Sequence, residues 1–371
     1  MSDYQQLLRR AGKLTADRAV ALGYIDPPSS SGDRVEANDS SRDATSPAKV
    51  DAMRPQQRLA PLVRIPADRD IRLPHPIPYQ GSKRALAPKI APHVPAKIER
   101  WFEPFAGSAA MTIWAASVDA AEQFVIGDSL RPMTALWAAI IDRPLEVTER
   151  YEAVWRGQRE DDPHYFNRIR DRFNAGQDPV ELLYLICRCV KNAVRFNAEG
   201  RFTQSVDKRR LGMRPDKMRE SVLAVSTLLR GRTEVRDGDW LDTTRDASEQ
   251  DFIYMDPPYL GTTIGRDKRY AEQLQSERLI SGLGLLISRR VRFALSYDGM
   301  TGGREYGPPL PAGLGLTRLL LHAGRSSQST LIGRSEETVE SLYLSPGLTP
   351  GNSPKGQAPA SQEVFSFASA S

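Results

Sequence analysis

The sequence predicts an α/β fold, with a largely parallel sheet, helices on its faces and a helical segment inserted between two strands. Three observations carry this expectation. Between residues 101 and 142, short apolar runs ending in a glycine or an acid alternate with helix-spaced segments. From about 144 to 230 the strand signal vanishes and four segments place apolar residues at helical spacing. Strands resume at 233, so the helices interrupt one sheet rather than follow it.

Taken in order, WFEPFAG (101–107) reads as a strand entering a glycine turn, with a helix in MTIWAASV behind it. FVIGD (124–128) is a second strand, ending in an acid and followed by a helix through MTALWAAIID. LEVTERYEAVWRG, HYFNRIRDRFNAG, PVELLYLICRCVKNAV and DKMRESVLAVSTLLRG are the inserted helices. TEVRDGDW (233–240), DFIYM (251–255) and RFALSYDG (292–299) return to strand, and TRLLLHAG and VESLYLS form the final pair. GMTGGREYGPPLPAGLG reads as a loop near the strand ends. The expected organisation is a low-complexity tail over 1–70, with a short helix around Tyr4 to Leu22, and core segments over 71–143 and 231–345. The helical insertion spans 144–230, and 346–371 is a second tail.

Composition narrows the function classes only a little. The 371 residues carry a formal charge of +5, a weak bias toward an anionic partner. Cys187 and Cys189, the two cysteines, lie in one apolar helical run and read as packed thiols of a reduced, cytoplasmic protein. With four scattered histidines they lack the further ligands of a metal site, so no metal is expected. No apolar run approaches the ~18 residues of a membrane span, and MSDYQQLLRRAGK has no apolar core of a signal peptide.

In an open α/β sheet, ligands bind beyond the carboxyl ends of the strands. Three of those ends carry acids: Asp128, Asp239 and Asp256. The turn Phe105-Ala106-Gly107 lets backbone approach a ligand, but one glycine does not make a pyrophosphate cradle. That combination suits an adenosine without a diphosphate, and it disfavours a nicotinamide oxidoreductase. For Gly107 and Asp128 alone, a turn glycine and a helix cap explain the same letters.

DPPY (256–259) decides between these readings. Proline fixes φ and cannot donate, so Asp256 and the Pro257 carbonyl form two rigid acceptors. They suit an exocyclic amino group with two N–H donors, while Tyr259 offers a stacking face. A base extruded from a duplex meets these demands. The second Asp-Pro-Pro, at 26–28, lacks the apolar lead-in and the tyrosine and reads as tail.

From about 72 to 345 the chain resembles the DNA adenine methylases, the α-arrangement of S-adenosylmethionine-dependent amino methyltransferases. PYQGSKRALAPKI, FEPFAGSAA, IGDSL and DPPY match the family's motifs in order, and CRCVKNAVRFNAEGRFTQS resembles a segment of its helical insertion. The resemblance implies a Rossmann-like sheet with an inserted target-recognition subdomain, S-adenosyl-L-methionine as cofactor and N6 of adenine in double-stranded DNA as acceptor. RNA adenine, cytosine N4, a protein amide, or a DNA-binding protein with a decayed pocket remain alternatives. It further implies that Tyr79 and Lys83 contact the methionine end of the cofactor and that Asp128 holds its ribose. Asp239 and Trp240 would lie at its adenine, and Asp256, Pro257 and Tyr259 would hold the target base. One family glycine is Ala109 here. A companion restriction endonuclease is an allowed partner, and a monomer or weak dimer is expected.

Between Lys191 and Arg219 lie nine Lys/Arg and three acids, spaced by Gly200, Gly212 and Pro215. This pattern reads as a loop following a phosphate backbone, with Lys191, Arg195, Asn197, Arg201, Lys208, Arg209 and Arg210 as the contacts; a solvated helix face is the bland alternative.

Overall fold

A computed structural model describes residues 73–158, 162–258, 276–301, 304–306, 309–325 and 337–348. The expected helix around Tyr4 to Leu22 and both tails fall outside these residues, apart from the few that adjoin the core. Strands β1 (Arg100–Glu103), β2 (Gln123–Asp128), β3 (Thr233–Asp237), β4 (Phe252–Met255) and β5 (Arg292–Thr301) run parallel. β6 (Arg304–Tyr306) folds back on β5, and β7 (Thr317–Arg325) pairs antiparallel with β8 (Glu337–Leu344). The order is β3-β2-β1-β4-β5-β8-β7. The chain leaves β1 toward β2 and β3 and later returns on the other side for β4 and β5. The order therefore reverses between β1 and β4, opening a crevice at their carboxyl ends.

Burial on both faces explains the unbroken apolar runs of the central strands. Trp101, Phe124, Phe252 and Tyr254 face one apolar cluster, which continues into the helical insertion. Phe102, Val125, Ile253 and Met255 face the other, closed by Leu279, Leu283 and Leu286 of the last described α-helix, Ser276–Ser288. The remaining main helices are α1 (Ala110–Ser117), α2 (Arg131–Asp142), α3 (Pro144–Arg156), α4 (Tyr165–Gly176), α5 (Pro179–Arg188) and α6 (Pro215–Leu229). Pro132, Pro144, Pro179 and Pro215 open four of them in the first turn, where a missing N–H is harmless. Asp178 caps α5 by accepting from the amides of Val180 and Glu181. Among the described residues no helix is long and apolar enough to cross a membrane.

Two expectations need correction. The helix read through VKNAV stops at Arg188, because Lys191 and Asn192 take left-handed backbone angles (φ 59° and 51°) and Cys189 bridges to Val206. Cys187 is therefore helical and Cys189 is not, although both are buried. The stretch GMTGGREYGPPLPAGLG is not all loop: β5 continues to Thr301 and β6 returns beside it.

Candidate active site

The crevice is built from backbone upward. After β1 the chain turns through Gly107 at φ +45°, and a side chain there would meet the Tyr79 ring at 3.6 Å. The indole of Trp137 donates to the Gly107 carbonyl at 2.9 Å, and the Gly107 amide donates to Asp128 Oδ2 at 3.0 Å. Asp128 Oδ1 also accepts from the Leu130 amide at 2.9 Å. The carboxylate at the end of β2 is thus held against the glycine turn. Burial, only partly offset by those two amides, raises its pKa to about 6. Ala109 also adopts left-handed angles (φ 45°) and is fully buried in the apolar cluster. Its methyl points into the core, and the strain of roughly 1–2 kcal/mol is borne by the fold.

Asp256 follows β4 directly, and the buried Lys83 ammonium lies 2.9 Å from its Oδ1. The same ammonium lies 3.3 Å from Glu340 Oε2 on β8, the antiparallel strand two places away. Burial raises the Asp256 pKa to about 6, with Glu340 raising it further and Lys83 opposing both. Pro257 is buried behind it. Tyr259 lies outside the described residues.

Glu103, the last residue of β1, is buried and accepts from the amide and hydroxyl of Thr112 on α1. Burial, reinforced weakly by the charge of Asp256, pushes its pKa up to about 8, so it carries a proton at neutral pH. Glu103 and Glu340 were not singled out from the sequence. Glu103 had a signal, a lone acid within the otherwise apolar run WFEPFAG. Glu340 had none, since only the sheet order brings β8 to Lys83.

The Glu103 shift has a measurable sign. Its folded pKa lies above the ordinary 4.5, so its stabilising effect is full below that value and is lost as pH rises through about 8. Asp128 and Asp256 complete the same loss near pH 6, and half-buried His75, lowered to about 4, finishes titrating near 6.5. Glu103→Gln keeps an acceptor for Thr112 and cannot ionise. We expect it to flatten the fall in Tm between pH 6.5 and 8; a variant with the parent's slope would contradict this.

The remaining predicted residues divide. Phe105 packs on Trp240 with centroids 5.9 Å apart. Asp239 caps the turn Trp240–Thr243 by accepting from the Leu241 amide, and its Oδ2 lies 3.0 Å from Arg278. Its carboxylate thus already has structural partners. Asp298 accepts from Arg318 and Tyr343 and ties the bulge in β5 to β7 and β8. In the basic loop, Asn197 accepts from the Arg201 amide, and Arg209 and Arg210 flank the buried Asp207 at 3.2 and 2.9 Å. Lys191, Arg201 and Lys208 are exposed, and no ion pair holds them among the described residues. Arg195 is partly buried. The loop meets the crevice at Asn192, whose carbonyl accepts from the Gln80 amide beside Tyr79.

A parallel sheet of this order with an antiparallel β8, a one-glycine turn and acids after β2 and β4 defines an α/β methyltransferase-like fold. Comparison with known sequences narrows the class. Residues 79–292, more than half of the chain, match the D12 class N6 adenine-specific DNA methyltransferase family, and the chain belongs to that family. It is 25% identical over 191 residues to the type II methyltransferase M1.LlaDCHI of Lactococcus lactis subsp. cremoris, covering 49% of this chain and 64% of that protein. It is 26% identical over 234 residues to the type II methyltransferase M.FokI of Planomicrobium okeanokoites, covering 60% and 35% respectively. The chain thus spans less than two thirds of either relative.

Proposed function

We propose that this protein is a site-specific methyltransferase acting on N6 of an adenine flipped out of duplex DNA, with S-adenosyl-L-methionine as methyl donor. The observation that carries the reading is the meeting of Asp256, Lys83 and the Gly107–Asp128 turn at the one point where the sheet order reverses. The crevice fits the donor. Gly107 leaves backbone open beside the Tyr79 ring, and a fixed carboxylate at Asp128 suits a ribose diol. When bound, the donor supplies an electrophilic methyl carried on a sulfonium.

The chain's own residues then position the acceptor. Asp256 accepts one N6–H and the Pro257 carbonyl accepts the other, which aims the nitrogen lone pair into the crevice. Lys83 keeps Asp256 oriented, and Glu340 keeps Lys83 in place. Glu103 is uncharged at neutral pH and adds no second negative charge to repel the Asp256 carboxylate. Tyr259 supplies the stacking face. Asp256 does not need to be a strong base, because the methylated nitrogen is acidic enough to release its proton to water. Lys191, Arg201 and Lys208 are placed to contact phosphates, with Arg209 and Arg210 divided between Asp207 and the nucleic acid. Calorimetry tests the donor. S-adenosyl-L-methionine should bind the protein, and Asp128→Ala should weaken it by about 10- to 100-fold, the range for lost charge-assisted hydrogen bonds. Absence of binding to the unaltered protein would leave only a decayed pocket.

A further inference from the structure

The loop joining α5 to α6 has no regular structure at 207–213, yet side chains of the bundle hold its carbonyls in place. Arg188 donates to the carbonyls of Asp207 (2.7 Å) and Arg210. Trp155 and Gln158 both donate to the Leu211 carbonyl, at 2.9 and 3.1 Å, and the Tyr151 hydroxyl donates to Met213 at 2.7 Å. Gly212, at φ +81°, lies so close to Arg188 and Cys187 that an added Cβ would sit 3.2–3.3 Å from their side chains.

This rigid turn presents an apolar side chain to solvent. Leu211 is 57% exposed, more than any other exposed large apolar side chain described. Lys208, Arg209, Arg210 and Arg214 surround it in sequence and are exposed too. A leucine left in water forgoes the favourable burial of its side chain, and the cations around it repel a second copy of the same surface. A partner satisfying both features is charged negatively outside and apolar within, as stacked bases behind a phosphate backbone are. The position fits: Arg210 donates to the Asn192 side chain (3.4 Å), and Asn192 accepts from Gln80 beside the crevice.

We propose that Leu211 is an apolar wedge that enters the base stack of the bound duplex and holds open the gap left by the target base. The proposal rests on the DNA reading above. Unstacking a base opposes flipping, and a side chain filling the vacated space offsets part of that cost.

The test uses a duplex whose target adenine has been located by sequencing DNA methylated by the unaltered protein. With 2-aminopurine at that position, Leu211→Ala should show a reduced fluorescence rise on mixing. On the adenine duplex its single-turnover rate should fall about tenfold or more, as expected when a flipping step loses support. Duplex affinity at fixed salt should stay within about twofold, since the cations remain. A mismatch opposite the target should restore most of the rate, and Leu211→Met should behave like the parent; a loss of structure would show neither. If Leu211→Ala matches the parent in rate and fluorescence, or a mismatch fails to rescue it, the wedge is wrong while the DNA reading stands. If the unaltered protein methylates no DNA, both fall.

Discussion

Asp256→Ala is expected to lower methyl transfer by at least about 10²–10³-fold, the scale seen when one preorganised polar group is removed from a reacting centre. Fold and duplex affinity should survive. Lys83 would lose its partner at 2.9 Å but keep Glu340 at 3.3 Å, so no buried ammonium is left unpaired. Removing a carboxylate whose pKa burial has raised to about 6 also relieves the cost of holding that charge in the crevice. The variant should therefore be at least as stable as the parent at neutral pH. In the parent, kcat/KM reports the free enzyme and should decline as pH falls below about 6, where Asp256 takes up a proton and loses an acceptor. Full activity in a well-folded Asp256→Ala protein would sink the site assignment.

The largest effect on stability is expected at the opposite end of the sheet. Asp251, just before β4, is fully buried. It accepts from the Arg100 amide (3.1 Å), from the Arg100 guanidinium (3.2 and 2.8 Å) and from the amide and hydroxyl of Ser248 (2.8 and 3.0 Å). Arg100 also reaches Asp246, which Arg236 shares, and both guanidinium groups lie over the Phe102 ring at 5.0 and 5.8 Å. This network ties the amino ends of β1 and β4, remote from the crevice, to Arg236 of β3. Asp251→Ala removes the one acceptor common to five donors and leaves Arg100 partly unpaired. We expect a loss of about 3–5 kcal/mol, the range for breaking a buried ion pair by deleting one partner. Urea unfolding measures it, and a change below about 1 kcal/mol would contradict the account. Activity per folded molecule should be retained, since no reacting group is touched.

Much of the sheet was legible because its central strands are buried on both faces and read as apolar runs such as FIYM. The crevice was legible where a strand ended abruptly in an acid, as at Asp128 and Asp256. What local pattern could not supply was convergence. Glu340 lies 257 positions after Lys83 in the chain, and only the insertion of β8 beside β5 brings them together. The end of α5 was missed because CVKNAV is compatible with a helix by composition. The left-handed angles at Lys191 and Asn192 are set by the bridge from Cys189 to Val206, a tertiary constraint. The basic loop was visible as a charge run. Which of its cations are tied to Asp207, and that Leu211 projects among them, depends on side chains of α3 and α5 distant in sequence.

The most direct test of the central claim is the modified base itself. DNA from cells expressing the unaltered protein should contain N6-methyladenine at one recurring sequence when read by single-molecule sequencing. DNA from cells expressing Asp256→Ala should contain none at that sequence. Methylation on cytosine N4 would keep the fold and overturn the acceptor. An absence of methylated bases from cells making soluble, folded protein would contradict the account.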